Sequence, residues 1–93
     1  MTKRRTPTDI VADILKIADS GARITKLVYQ GNLNFKVVKP YLDKLVTKGY
    51  LVMLEDGRTW ITTNDGKRFL EAYDNLEAFL EEEAATFGEP SAA

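Results

Sequence analysis

Thirteen lysines and arginines carry most of the chemistry available to this sequence. There is no cysteine and no histidine, and Ser20 and Ser91, the only serines, sit in no nucleophile motif. That removes disulfides, the usual structural-zinc ligand sets, the commonest general base and the commonest nucleophile–base pairs. Carboxylates remain, and a pair of them can run acid–base chemistry, but 93 residues leave little room for a deep pocket. The expectation is therefore no catalytic residue, no metal and no cofactor. What remains is charge.

The net charge of −1 hides a division along the chain. All 13 basic residues fall within residues 1–68, against 7 acids there, a balance of +6. Residues 69–93 hold the other 7 acids and no base. A basic body with an acidic end can meet phosphates on one side while the rest faces away. No apolar run approaches the length of a membrane span, and Met1-Thr2-Lys3-Arg4-Arg5 has no apolar segment behind it. The chain is expected to stay in the cytoplasm, with no membrane partner.

The elements that must position these charges follow from periodicity. Residues 1–5 read as a basic, mobile arm. Thr6, Pro7 and Asp9 make a helix start: a hydroxyl cap, a proline at the first position and an acid where a capping box places one. Ile10, Val11, Ile14, Leu15, Ile17 and Ala18 then form one apolar stripe, ended by Ser20-Gly21. Ala22-Arg23-Ile24 suits a brief strand. Thr25 is expected to cap a short second helix carrying Leu27, Val28 and Tyr29, broken at Gln30-Gly31-Asn32. Asn34 caps a third helix with Phe35, Val38, Leu42 and Leu45 inward, closed by Gly49, and Pro40 is expected to bend it.

Two helices joined by a tight turn are a helix-turn-helix. Residues 50–54 and 59–63 have strand composition, and the Asp56-Gly57 pair between them signals a hairpin. A hairpin directly after a helix-turn-helix is a wing. Asn64 is expected to cap a last helix running to Phe87, with a stripe of Phe69, Tyr73, Leu76, Leu80 and Phe87, widened by Leu70 and Phe79. Its far half overshoots a three-helix core, so Tyr73, Leu76, Phe79, Leu80 and Phe87 are expected to seal against a second copy. Residues 88–93 read as a disordered tail. The fold class is α+β, mainly α: a winged helix-turn-helix at 6–68, then a dimerisation helix at 69–87.

Beyond the order of elements, the residues resemble a particular group. The resemblance is carried by Gly21-Ala22-Arg23, Thr25, Tyr29, Asn32-Leu33-Asn34, Tyr41-Leu42, Leu45-Val46, Gly49-Tyr50-Leu51, Ile61-Thr62-Thr63, Gly66-Lys67 and Phe69-Leu70. Across roughly residues 8–80 the chain resembles the small archaeal winged-helix DNA-binding proteins of about ten kilodaltons. Those proteins dimerise through a C-terminal antiparallel coiled coil. The resemblance implies double-stranded DNA as partner and a homodimer. Pro40 and the acidic last helix depart from the pattern.

In a helix-turn-helix the second helix enters the major groove with its N-terminal part nearest the bases. Asn34, Lys36 and Val37 are thus the base-edge candidates, joined along the outer face by Lys39, Pro40 and Lys44. Val37 and Pro40 suit thymine methyl groups. The plainer alternatives are that Asn34 only caps and the lysines only solvate. Arg58 at the wing tip suits a narrow minor groove or is simply a turn residue. Arg23, Lys26 and Gln30 suit phosphates, Lys3, Arg4 and Arg5 a trailing arm, and Lys67 and Arg68 either a phosphate or nearby acids. A transcription regulator is expected first. An architectural or plasmid-partition protein that spreads on DNA is the alternative. A protein adaptor, whose acidic helix docks a basic partner, is the reading without DNA.

Overall fold

The computed structural model describes residues 6–86, with side chains through Glu81. The arm at 1–5, the tail at 88–93 and Phe87 lie outside the described residues. The order is α1 (Pro7–Ile17), a 3₁₀ turn (Ala18–Ser20), α2 (Ile24–Gly31), α3 (Phe35–Thr47), β1 (Leu51–Met53), β2 (Trp60–Thr62) and α4 (Asn64–Thr86). The strands pair antiparallel, Leu51 opposite Thr62 and Met53 opposite Trp60. Ala22 adds a single bridge to Trp60 on the other side of β2.

α1 starts as its sequence dictates. The Thr6 hydroxyl accepts from the Asp9 N–H, and the Asp9 carboxylate accepts from the Thr6 N–H, both at 3.1 Å. Ile14, Leu15 and Ala18 then meet Leu27 of α2, Val38, Leu42 and Leu45 of α3, and Leu51 of β1 in one buried cluster. Thr62 is the buried polar side chain among these, and its hydroxyl donates to the Leu15 carbonyl at 2.7 Å, pinning the wing base to α1.

Several boundaries differ from expectation, each for a local reason. α2 begins at Ile24 with Arg23 at its N-cap position, so Thr25 lies inside the first turn. The Ala22–Trp60 bridge holds the chain extended up to Arg23 (φ −87°, ψ 167°), and the helix starts directly after it. At the end of α2, Asn32 rather than Gly31 takes the left-handed conformation (φ 53°), leaving Gly31 as the last, buried residue. α3 runs through Pro40 without interruption. Pro40 is exposed, so solvent can satisfy the Lys36 carbonyl that the missing N–H would have bonded.

Phe35 is the main correction in α3. It is 52% exposed, while Val38, Leu42 and Leu45 are buried as expected. Tyr29, placed on the apolar side of the second helix by its neighbours, is 87% exposed.

The junction into α4 corrects another assignment. Thr63, not Asn64, does the capping: its hydroxyl accepts from the Gly66 N–H at 3.1 Å and donates to the Gly49 carbonyl at 2.6 Å. The Thr63 N–H donates to the Tyr50 carbonyl at 3.0 Å. Gly66 is buried against the same strand entry, and a β-carbon there would lie 2.4 Å from the Tyr50 carbonyl oxygen and 2.6 Å from Thr62 Cγ2. Backbone cannot yield as a flexible side chain does, so Gly66→Ala should cost about 3 kcal/mol. At Gly49 the strain is conformational only, with φ +83° and open space around a β-carbon. There Gly49→Ala should cost about 1 kcal/mol. Denaturant midpoints of the two variants should fall in that order, and equal midpoints would refute the steric account.

Candidate nucleic-acid interface

The first turn of α3 presents Phe35, Lys36 and Val37 to solvent, followed by Lys39, Pro40, Asp43 and Lys44, all exposed. Asn34 is exposed as well, but its side-chain oxygen accepts from the Val37 N–H at 2.9 Å. The cap uses one of the two lone pairs on the amide oxygen and leaves the NH₂ to donate. A bidentate pair with adenine would have to share that oxygen with the cap.

The charges are sorted more sharply than their positions in sequence suggest. Lys36, Lys39, Lys44, Lys48 and Arg58 are exposed and form no ion pair among the described residues. The cations of α1 and α4 are all engaged. Lys16 lies 3.6 Å from Asp74, Lys67 4.0 Å from Asp19 and Arg68 3.0 Å from Asp65. Lys67 and Arg68 thus take the acid-paired alternative. Lys26 is half-buried. Lys44 and Lys48 also border a groove of about 440 Å³, floored by Val11, Tyr41, Tyr50 and Phe69.

The wing tip is held by a residue that the sequence reading took only as a turn signal. The Asp56 carboxylate accepts from the Arg58 and Thr59 N–H groups at 2.9 Å and from the Thr59 hydroxyl at 2.6 Å. The Thr59 hydroxyl, the Arg58 N–H and the Thr59 N–H hold its pKa down to about 2, with a smaller contribution from the charge of Arg23. The Ala22–Trp60 bridge holds Arg23, the next residue, beside the strand that leaves the wing. Trp60 and Tyr50 pack against the core, with Tyr50 and Phe69 rings 5.7 Å apart, and are not free platforms.

Along α4 the expected seam divides. Tyr73 is half-buried against its own α1: its hydroxyl donates to Asp9 at 2.5 Å, and Lys16 lies 5.5 Å from the centre of its ring. The bond to Asp9 pushes the Tyr73 hydroxyl up to about 12. Tyr73 is thus tied to its own α1, a role that its place in the apolar stripe did not signal. Leu76, Phe79 and Leu80 remain 51–53% exposed, and every described side chain from Ala78 to Glu81 is exposed. Phe87, the fifth expected seam residue, lies outside the described residues, as do the arm residues Lys3, Arg4 and Arg5.

A helix pair joined by a tight turn, then a two-stranded wing braced to the first helix, defines a winged helix-turn-helix domain. The chain belongs to the winged helix-turn-helix family, whose model matches residues 4–81. It is similar to the crystal structure of Sso10a-2, a DNA-binding protein from Sulfolobus solfataricus. The identity is 27%, the TM-score 0.78, and the match covers 88% of each chain. The resemblance to small archaeal winged-helix DNA-binding proteins is borne out by the family model and by this structural likeness. No curated protein sequence matches the chain. No helix among the described residues is long and apolar enough to cross a membrane.

Two titrations test these local assignments. Asp56 is depressed below its ordinary 3.8, so the order it gives the wing tip is complete above that value and lost as pH falls through about 2. Carboxyl NMR should show Asp56 titrating near 2, and Asp56→Ala should abolish the slow amide exchange of Thr59 at neutral pH. Tyr73 is raised above its ordinary 10.0, so its tie is complete below that pH and lost as pH rises through about 12. Tyr73→Phe should cost about 1–2 kcal/mol at neutral pH. No loss in that variant would dissolve the tie.

Proposed function

We propose that this chain is a non-enzymatic, dimeric protein that recognises specific sequences in double-stranded DNA and acts as a transcription regulator. α3 enters the major groove, with Lys36, Lys39 and Lys44 toward the duplex, while Arg58 and Arg23 meet the backbone or minor groove beside it. The observation that carries this reading is the sorting of charge: among the described residues the cations of α3 and the wing tip form no ion pair, whereas those of α1 and α4 lie within 4.0 Å of aspartates. The likeness to Sso10a-2, itself described as DNA-binding, supports the same partner.

The dimer rests on the uncovered stripe of Leu76, Phe79 and Leu80 in a 23-residue helix that is roughly 35 Å long. An exposed apolar stripe at helical spacing is most simply sealed by the same stripe of a second copy. Glu77 and Glu81 flank it, and their charge keeps this stalk away from phosphates. A dimer would read two half-sites one helical turn apart.

Binding to mixed-sequence duplex DNA should be micromolar or tighter at low salt and fall steeply as salt rises, the logarithmic slope reporting about 0.9 per phosphate contacted. Lys36→Glu with Lys44→Glu should weaken it at least roughly tenfold and flatten the slope. Undiminished binding by that double variant would move the contact to the wing or arm, and no binding at low salt would refute the reading. Separately, Phe79→Glu should give a monomer in sedimentation velocity while the helix content is kept. A dimer surviving that change would place the interface elsewhere.

A further inference from the structure

The exposed first turns of α3 carry few groups that read bases by hydrogen bonding. The outward side chains from Phe35 to Lys44 include no arginine, glutamine or glutamate; Lys36, Lys39 and Lys44 can donate to guanine, and the one acceptor for cytosine, Asp43, stands in the third turn, away from the end nearest the bases. Asn34 shares its amide oxygen with the helix cap. Lysine is a donor only, and every base pair except at the cytosine edge offers it an acceptor. In contrast, the first two turns expose Phe35, Val37 and Pro40.

A single exposed apolar side chain needs no explanation. Phe35 is different in placement. It follows the cap directly, at the end of α3 that lies nearest the bases in a helix-turn-helix, and its neighbours Val38, Leu42 and Leu45 complete the core without it. The only feature of the major groove that an apolar side chain can distinguish is the 5-methyl group of thymine.

We infer that Phe35, with Val37 and Pro40, makes this protein a reader of thymine methyl groups, selecting thymine-bearing half-sites by apolar contact instead of by hydrogen-bond pattern. This rests on the major-groove role proposed for α3. Phe35 covers a methyl on binding, and the donors of Asn34 and Lys36 beside it suit the O4 acceptor of the same base. Arg58 contributes little to this choice, since the minor groove carries no methyl group.

The test uses two duplexes of about 20 base pairs, long enough for two half-sites. One is A·T-rich, and the other is identical except that deoxyuracil replaces every thymine, which removes the methyl and keeps every hydrogen-bonding group. The full chain should bind the thymine duplex about fourfold more tightly per methyl contacted, so roughly tenfold or more for a dimer. Phe35→Ala should lose most of the preference, keeping only the part held by Val37 and Pro40. Phe35→Leu, which keeps an apolar contact, should restore most of the preference, and thermal melts show whether either variant is folded. Equal binding of both duplexes by the unaltered chain would overturn the inference and leave the DNA-binding reading standing. A preference that survives undiminished in Phe35→Ala would overturn the assignment to Phe35. Failure to bind either duplex at low salt would overturn both readings.

Discussion

The seating of α4 on the Tyr50 carbonyl is the constraint from which the rest of the architecture follows. Only a glycine at position 66 allows the approach, and Thr63 locks it by bonding the end of α3 through Gly49 and the first turn of α4 through Gly66. Three elements meet at that point: α3 as it ends, the wing as it begins, and the long helix as it departs. Moving any of them would change where the wing stands relative to α3 and in which direction α4 projects. The Thr62 bond to Leu15 and the Tyr73 bond to Asp9 then fasten this junction to α1 from both sides.

That arrangement separates two surfaces of opposite character. α3 and the wing keep their cations free, which is worth little to stability and much to a polyanionic partner. α1 and α4 use their cations internally, against aspartates brought close by packing. Glu77 and Glu81 then stand on the far half of α4. The near-zero net charge is therefore the sum of a basic face and an acidic stalk, and it says nothing against a nucleic-acid partner.

Much of this was legible from residue order. The α1 capping box, the core stripe of α1 and the Asp-Gly hairpin are local signals whose physics acts within a few residues, and all stand where expected. Phe35 shares a helical stripe with Val38, Leu42 and Leu45, but a stripe continues past the end of the core it packs on. The side chains of Thr25 and Asn64 suit a cap, yet the actual starts are decided by long-range bonds, Ala22 to Trp60 and Thr63 to Gly49, that no short window contains. The same holds for the bond between Tyr73 and Asp9, 64 residues apart. In the candidate interface the residue types are legible in sequence, whereas the cap on the Asn34 oxygen and the pairing of each cation are not.

The central claim is that the first turn of α3 and the wing tip form the surface that meets DNA, with the far half of α4 held away from it. Amide chemical-shift mapping during titration with a duplex tests this most directly. The account predicts that the largest changes fall at Asn34–Lys39 and around Arg58, with little at Leu76–Glu81. Changes concentrated on α4, or spread evenly over the chain with α3 unmoved, would contradict it.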